Sequence, residues 1–163
     1  MRRIDQLREE FRGETATARR HLARLPNDRF DWRPHHKSFT VGELGSHLVD
    51  CVRWTVEIFS ADELELDPVA FAPIHATSTD DLLARYDDEV ARAVAAIENA
   101  DDPDASGAWR LRMRGKVWFE KSREAAFRDM SLRHLVHHRG QLSVYLRLLD
   151  VPVPGSYGPT ADE

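Results

Sequence analysis

The chain has 163 residues, a formal net charge of −5 and one cysteine, with 42% hydrophobic and 31% charged residues. That balance is globular rather than disordered, and a lone Cys51 excludes an intrachain disulfide. No window approaches the roughly 18–20 continuous apolar residues of a membrane span. The N-terminus lacks the apolar run of a secretory signal, the lone cysteine makes a reducing cytoplasm the expected compartment, and the acidic balance speaks against a nucleic-acid binder.

Four segments carry the 3.6-residue apolar period of amphipathic helices. The first places Ile4, Leu7, Phe11, Ala18, Leu22 and Leu25 on one stripe and stops at Pro26. The second opens with Thr40-Val41-Gly42-Glu43, a capping box in which hydroxyl and carboxylate satisfy each other's backbone amides. It continues through Leu44, Leu48, Cys51, Ile58 and Phe59. The third begins near residues 77–81, where small polar and acidic residues suit a helix N-terminus, and carries Leu83, Tyr86, Val90, Val94 and Ile97. The fourth runs from about Arg123 to Leu149, ahead of Val151-Pro152-Val153-Pro154.

Between the third and fourth, Trp109, Leu111 and Met113 alternate with Arg110, Arg112 and Arg114 in strand-like fashion. The expectation is an extended crossover rather than a sheet, with its arginines solvated. With no repeat or linker, one all-α domain over 1–163 is expected: a four-helix bundle with long crossover connections at 26–40 and 102–122. The tail, 151–163, is expected to be ordered at least in part.

Histidines concentrate in the fourth segment, RHLVHHRGQLSVYL. At 100° per residue His134 and His138 stand one turn apart beside the apolar arc, while His137 turns to the polar side. Two imidazoles at i and i+4 can converge on one ion, and neutral imidazole suits zinc, nickel, copper or iron. His47, at the edge of the second segment's buried stripe, can supply a third ligand from a facing helix. Three protein ligands leave a position for water or substrate, as in catalytic zinc sites. The competing reading is three hydrogen-bonded core histidines. Cys51, one turn beyond His47, is read as a small buried apolar residue.

Several stretches together, DWRPHHKSFTVGELGSHLVD, HLVHHRGQLSVYLRLL and VPVPGSYGPTADE, resemble the DinB-like (DinB/YfiT) superfamily over essentially the whole chain. The resemblance implies an up-down-down-up bundle, commonly a homodimer. It also implies a divalent metal, nickel or zinc first and iron or manganese as alternatives, on His47, His134 and His138. Characterised relatives include transferases and isomerases that use bacillithiol, mycothiol or glutathione. The expected function is therefore that of a metal-dependent enzyme, first a low-molecular-weight-thiol S-transferase. A metal-dependent hydrolase and a non-catalytic, metal-stabilised stress-response module are the alternatives. Gln141, His35 and Tyr157 are the residues expected to orient substrate, and Gly140 is expected to permit close helix packing.

Overall fold

The computed structural model describes residues 2–67 and 71–163. Its first helix, α1 (Arg3–Leu22), buries Ile4, Leu7, Phe11, Ala18 and Leu22 along the expected stripe. Helix α2 (Val41–Ser60) begins on the expected capping box: Glu43 N donates to Thr40 Oγ1 at 3.1 Å and Thr40 N to Glu43 Oε2 at 2.7 Å. It is the central helix, buried along most of its length. Helix α3 (Thr79–Glu98) starts on Ser78, whose hydroxyl accepts from Asp81 N. A short α4 (Asp102–Ser106) follows.

The fourth apolar segment is helical but not uniform. Helix α5 (Arg123–Phe127) passes through one π-helical stretch, Arg128–Leu132, into α6 (Arg133–Leu148). Such wide turns collect at functional sites, and this one ends two residues before His134. It is clamped to α2 by a buried hydrogen bond between Thr55 Oγ1 and Ser131 Oγ, 2.7 Å. Among the long helices, α1 packs on α3 and α6, and α2 packs on α3 and α6. Apolar burial on these faces is the main source of stability.

The all-α expectation needs one correction. Strands β1 (Glu63–Glu65), β2 (Ala108–Met113) and β3 (Lys116–Ser122) form a sheet in the order β1-β2-β3. The alternating arginine segment is therefore half of a hairpin, not an extended crossover. Arg114 and Gly115 both take positive φ, 52° and 73°, as a tight two-residue hairpin turn requires. A bulge falls between Leu111 and Arg112, and β1 pairs in parallel with β2 through Leu64 and Leu111. The alternation does what period two dictates. Trp109 and Leu111 are fully buried, while Arg110 and Arg112 meet Glu120, Glu63 and Glu65 at the surface.

The first connection is ordered by its aromatic residues. Trp32 stands edge-on to Tyr145, 5.7 Å between centroids, and Tyr145 OH donates to Phe39 O at 3.1 Å. The tail is tied down as well, since Asp162 accepts from both Arg147 and Val153 N.

Gly140 does not serve close packing: it is exposed, and a Cβ there would meet nothing within 4 Å. The close approach lies instead at Gly45 on α2, where a Cβ would stand 2.8 Å from Leu82 and 3.0 Å from Leu25. Gly140→Ala is accordingly expected to stabilise the fold by about 0.5–1 kcal/mol, because alanine restricts the unfolded chain and suits an exposed helix interior. Thermal denaturation checks this, and a lowered melting temperature would contradict it.

Candidate metal centre

Two helices build the site. Helix α2 supplies His47, Asp50 and Cys51, and α6 supplies His134 and His138. The three imidazoles meet in one cluster, with ring centroids 4.9 Å apart for His47–His134, 4.5 Å for His47–His138 and 4.7 Å for His134–His138. His47 Nε2 and His134 Nε2 face each other at 3.2 Å. Two nitrogens bound at about 2.0–2.1 Å around a tetrahedral ion are separated by roughly 3.3 Å, so the pair already has the span of two ligands.

The remaining nitrogens are held from behind. His138 Nδ1 donates to Gln141 Oε1 at 2.8 Å, which leaves Nε2 free for the centre, and the His134 ring is hydrogen-bonded to the Met130 carbonyl. Partners of this kind fix the tautomer and the orientation of a ligating ring. Gln141 is thus placed to orient His138, and its Nε2 also donates to His137 Nε2 at 3.2 Å. Gln141→Leu is expected to lower metal affinity by about 10–100-fold with the fold intact, measurable by calorimetric titration. Unchanged affinity would contradict that role.

Burial keeps all three rings neutral. It holds His47 down to about 4, with His138 and His134 adding to the effect, and it lowers His134 and His138 in the same direction. Neutral imidazole is the ligating form, so protons compete little at neutral pH. Asp50 stands 3.9 Å from His47 Nδ1, too far for a hydrogen bond, and both of its oxygens accept from Ile74 N at 3.3 and 3.4 Å. Its burial pushes the carboxyl up to about 6.

A stability consequence follows for the metal-free protein. Unfolded histidines take up protons near 6.5, whereas His47, His134, His138 and the buried His21 resist protonation in the fold. The unfolded state therefore binds more protons as pH falls from 6.5 towards 4, and stability drops across that window. The raised carboxyl of Asp50 opposes the trend, but it is one group against four. Melting curves against pH in the presence of a chelator should show this loss. A melting temperature that is flat or rises on acidification would contradict it.

Cys51 also belongs to the cluster. Ligand atoms of His47, Cys51 and His134 all lie within 4.8 Å of one another, a group that could hold a metal ion. His138 falls outside that particular set although its ring adjoins both histidines. The cysteine is fully buried, as the sequence suggests, and burial pushes its thiol up.

The cluster opens into a cavity of about 660 Å³ lined by Phe39, Trp54, Leu66, Phe71 and Trp118, with His47, His134 and Asp50 on its wall. Trp118 on β3 and Leu66 just beyond β1 bring the small sheet to the mouth of this cavity. Phe39 and Trp118 are among the exposed large hydrophobic residues, 45% and 63%, which an apolar ligand would cover.

Other expected residues lie elsewhere. His137 is exposed and lines a separate cavity of about 570 Å³ with Glu10, Glu14 and Val136. Tyr157 hydrogen-bonds Glu14 and buried Arg139, away from the cluster. His35 is exposed, accepts from Lys37 N and stacks on His36. His75, in the connection ahead of α3, also lines the cavity. Asp50 is a further site residue, one of many acids in the sequence, and its i+3 spacing from His47 is the signal that places both on one helix face.

Taken together, these features define a helical-bundle protein with a histidine-rich candidate metal centre beside an aromatic cavity. The chain belongs to the DinB family, whose profile matches residues 1–163. It is similar in fold to a DinB-like protein from Bacillus cereus ATCC 10987, with a TM-score of 0.75, 18% identity, and coverage of 94% of this chain and 97% of that one. A DinB-like protein from Bacillus subtilis, YjoA, gives a TM-score of 0.73 at 17% identity, covering 93% of this chain and 97% of that one. No curated protein matches the chain.

Proposed function

We propose that this chain is a single-domain, metal-dependent enzyme that transfers a low-molecular-weight thiol to an apolar electrophile. His47, His134 and His138 would hold a divalent ion, zinc or nickel by preference. The observation that carries the reading is the facing pair of Nε2 atoms at 3.2 Å on the wall of an aromatic cavity. When bound, the ion supplies Lewis-acid charge that lowers the pKa of a thiol or a water.

The chain's own residues do the rest. The three imidazoles are neutral and preoriented, so little rearrangement accompanies ligation. Trp54, Phe71 and Trp118 exclude water and offer flat surfaces to an apolar substrate. Asp50 is the buried one of two carboxylates on the cavity wall, the other being Glu43, and would take up a proton released at the site. The apolar walls favour this reading over hydrolysis, in which water is itself a substrate.

Among the described residues no helix is long and apolar enough to cross a membrane. We place the protein in the cytoplasm, with a small-molecule substrate, no nucleic-acid partner, an up-down-down-up run of its long helices, and a homodimer as its assembly.

The test is a screen of untagged, metal-loaded protein with small thiols and an electrophile panel. Turnover that disappears in His134→Ala supports the proposal. Silence across the panel, with chelation still lowering the melting temperature, would favour a non-catalytic metal-stabilised module.

A further inference from the structure

We propose that Cys51 Sγ is a donor to the metal ion of this site, joining His47, His134 and His138 in a four-donor centre containing one sulfur. This rests on the metal-centre reading above and goes beyond it in the composition and closure of the centre. Three features carry it. Cys51 follows His47 by one helical turn, so both side chains leave α2 on the same face. Its sulfur and the ligand nitrogens of His47 and His134 lie mutually within 4.8 Å. The residue is fully buried, so its sulfur is shielded from solvent beside the histidine rings.

The distances suit that role. Metal–sulfur bonds of about 2.3 Å and metal–nitrogen bonds of about 2.0–2.1 Å place tetrahedral donors roughly 3.3–3.6 Å apart. The donors of His47, Cys51 and His134 span at most 4.8 Å, with one pair already at 3.2 Å, and the His138 ring adjoins both imidazoles at 4.5 and 4.7 Å between centroids. On ligation the S–H bond breaks, the sulfur donates its electron pair to the ion, and the proton passes to the buffer. No oxidation state changes.

Two consequences follow for this centre. A thiolate among imidazoles favours thiophilic and borderline ions, zinc, nickel and cobalt, over manganese or magnesium. Four protein donors also fill a tetrahedral centre, in place of three histidines and a permanent water. A substrate then enters by expanding the coordination number or by displacing the sulfur.

The experiment uses the full untagged chain in buffer free of thiol reductants, loaded with cobalt(II) or zinc alone. Cobalt protein is expected to show a near-ultraviolet sulfur-to-cobalt charge-transfer band that Cys51→Ser lacks while retaining its visible d–d bands. X-ray absorption of the zinc form should show a sulfur shell at about 2.3 Å beside nitrogen at about 2.0–2.1 Å. The wild-type sulfur shell decides the matter should the variant not fold. Bound cobalt and zinc with nitrogen and oxygen signatures only would overturn the role of Cys51 and leave the histidine centre standing. A charge-transfer band persisting in Cys51→Ser would also overturn it. No uptake of either ion by the wild-type chain would overturn both readings.

Discussion

His134→Ala is expected to abolish stable metal binding. Of the expected ligands, His134 and His47 are the pair already poised as donors, their Nε2 atoms 3.2 Å apart, and the His134 ring is braced by the Met130 carbonyl. Alanine removes the nitrogen and leaves space that water, not another side chain, can fill. The loss should exceed the roughly 10–100-fold that removal of an outer partner costs. Calorimetric titration with zinc measures it directly. Stability moves separately: the metal-free variant should melt close to metal-free wild type, because His134 is only half-buried and its deletion relieves crowding of three imidazoles. The metal-dependent rise in melting temperature should vanish, since that rise reports binding to the native state alone. A variant that retained wild-type affinity would show that the ion, if bound, sits elsewhere.

The second large effect is expected at Arg123, where stability rather than chemistry is at stake. This arginine is 5% exposed, and each of its guanidinium nitrogens is engaged. Nη1 donates to the Ile58 and Ala61 carbonyls at the end of α2, Nε donates to Asp104 O at 3.2 Å, and Nη2 donates to Asp62 at 2.6 Å. The last carbonyls of a helix have no intrahelical partner, and a cation there also meets the negative end of the helix dipole. Arg123 thus ties the C-terminus of the helix bearing His47 to the start of the segment bearing His134 and His138. Asp62 is well exposed, so its loss as a partner costs little. Leaving the buried backbone carbonyls without a donor costs more. Arg123→Met keeps much of the aliphatic volume and removes the donors, with an expected cost of about 3 kcal/mol. For a chain of this size that is a fall in melting temperature of about 6–12 °C. Arg123→Lys should fall between the two, because one ammonium cannot reproduce the planar fork. A change below about 1 °C in the methionine variant would mean that water satisfies those carbonyls.

What the sequence reveals, and what it hides, divides along physical lines. Local rules carry far: the Thr40–Glu43 box starts α2 as expected, and the i,i+4 spacing of His134 and His138 is enough to put their rings side by side. Long-range pairing does not show in the same way. β1 has only three residues, two of them glutamates, and it exists because β2, over forty residues later, offers a parallel edge. No local pattern marks such a strand, so Trp109, Leu111 and Met113 read as an isolated alternation. The π-helical stretch before His134 is hidden for a similar reason, since its sequence, RDMSL, has no glycine or proline to announce a wide turn.

The same division holds at the site. His47 can be paired with α6 from sequence because both lie on apolar stripes. Cys51 reads there as a buried residue, which is correct, while its proximity to two imidazoles depends on how α2 rests against α6. Tyr157 and His35 have side chains suited to chemistry, but neither lines the cavity beside the histidines. Tyr157 closes a cluster with Glu14 and Arg139, and His35 stacks on His36 at the surface. Arg139, inside the histidine string itself, is buried and bound to Glu14 at 2.6 Å, so part of that motif braces α1 against α6.

The most direct measurement is native mass spectrometry of the untagged chain after incubation with zinc or nickel and exchange into volatile buffer. One tightly held ion per chain in wild type, lost in His134→Ala, is the expected result. Fewer than about 0.1 ion per chain in wild type, or equal loading of both proteins, would contradict a centre built on His47, His134 and His138.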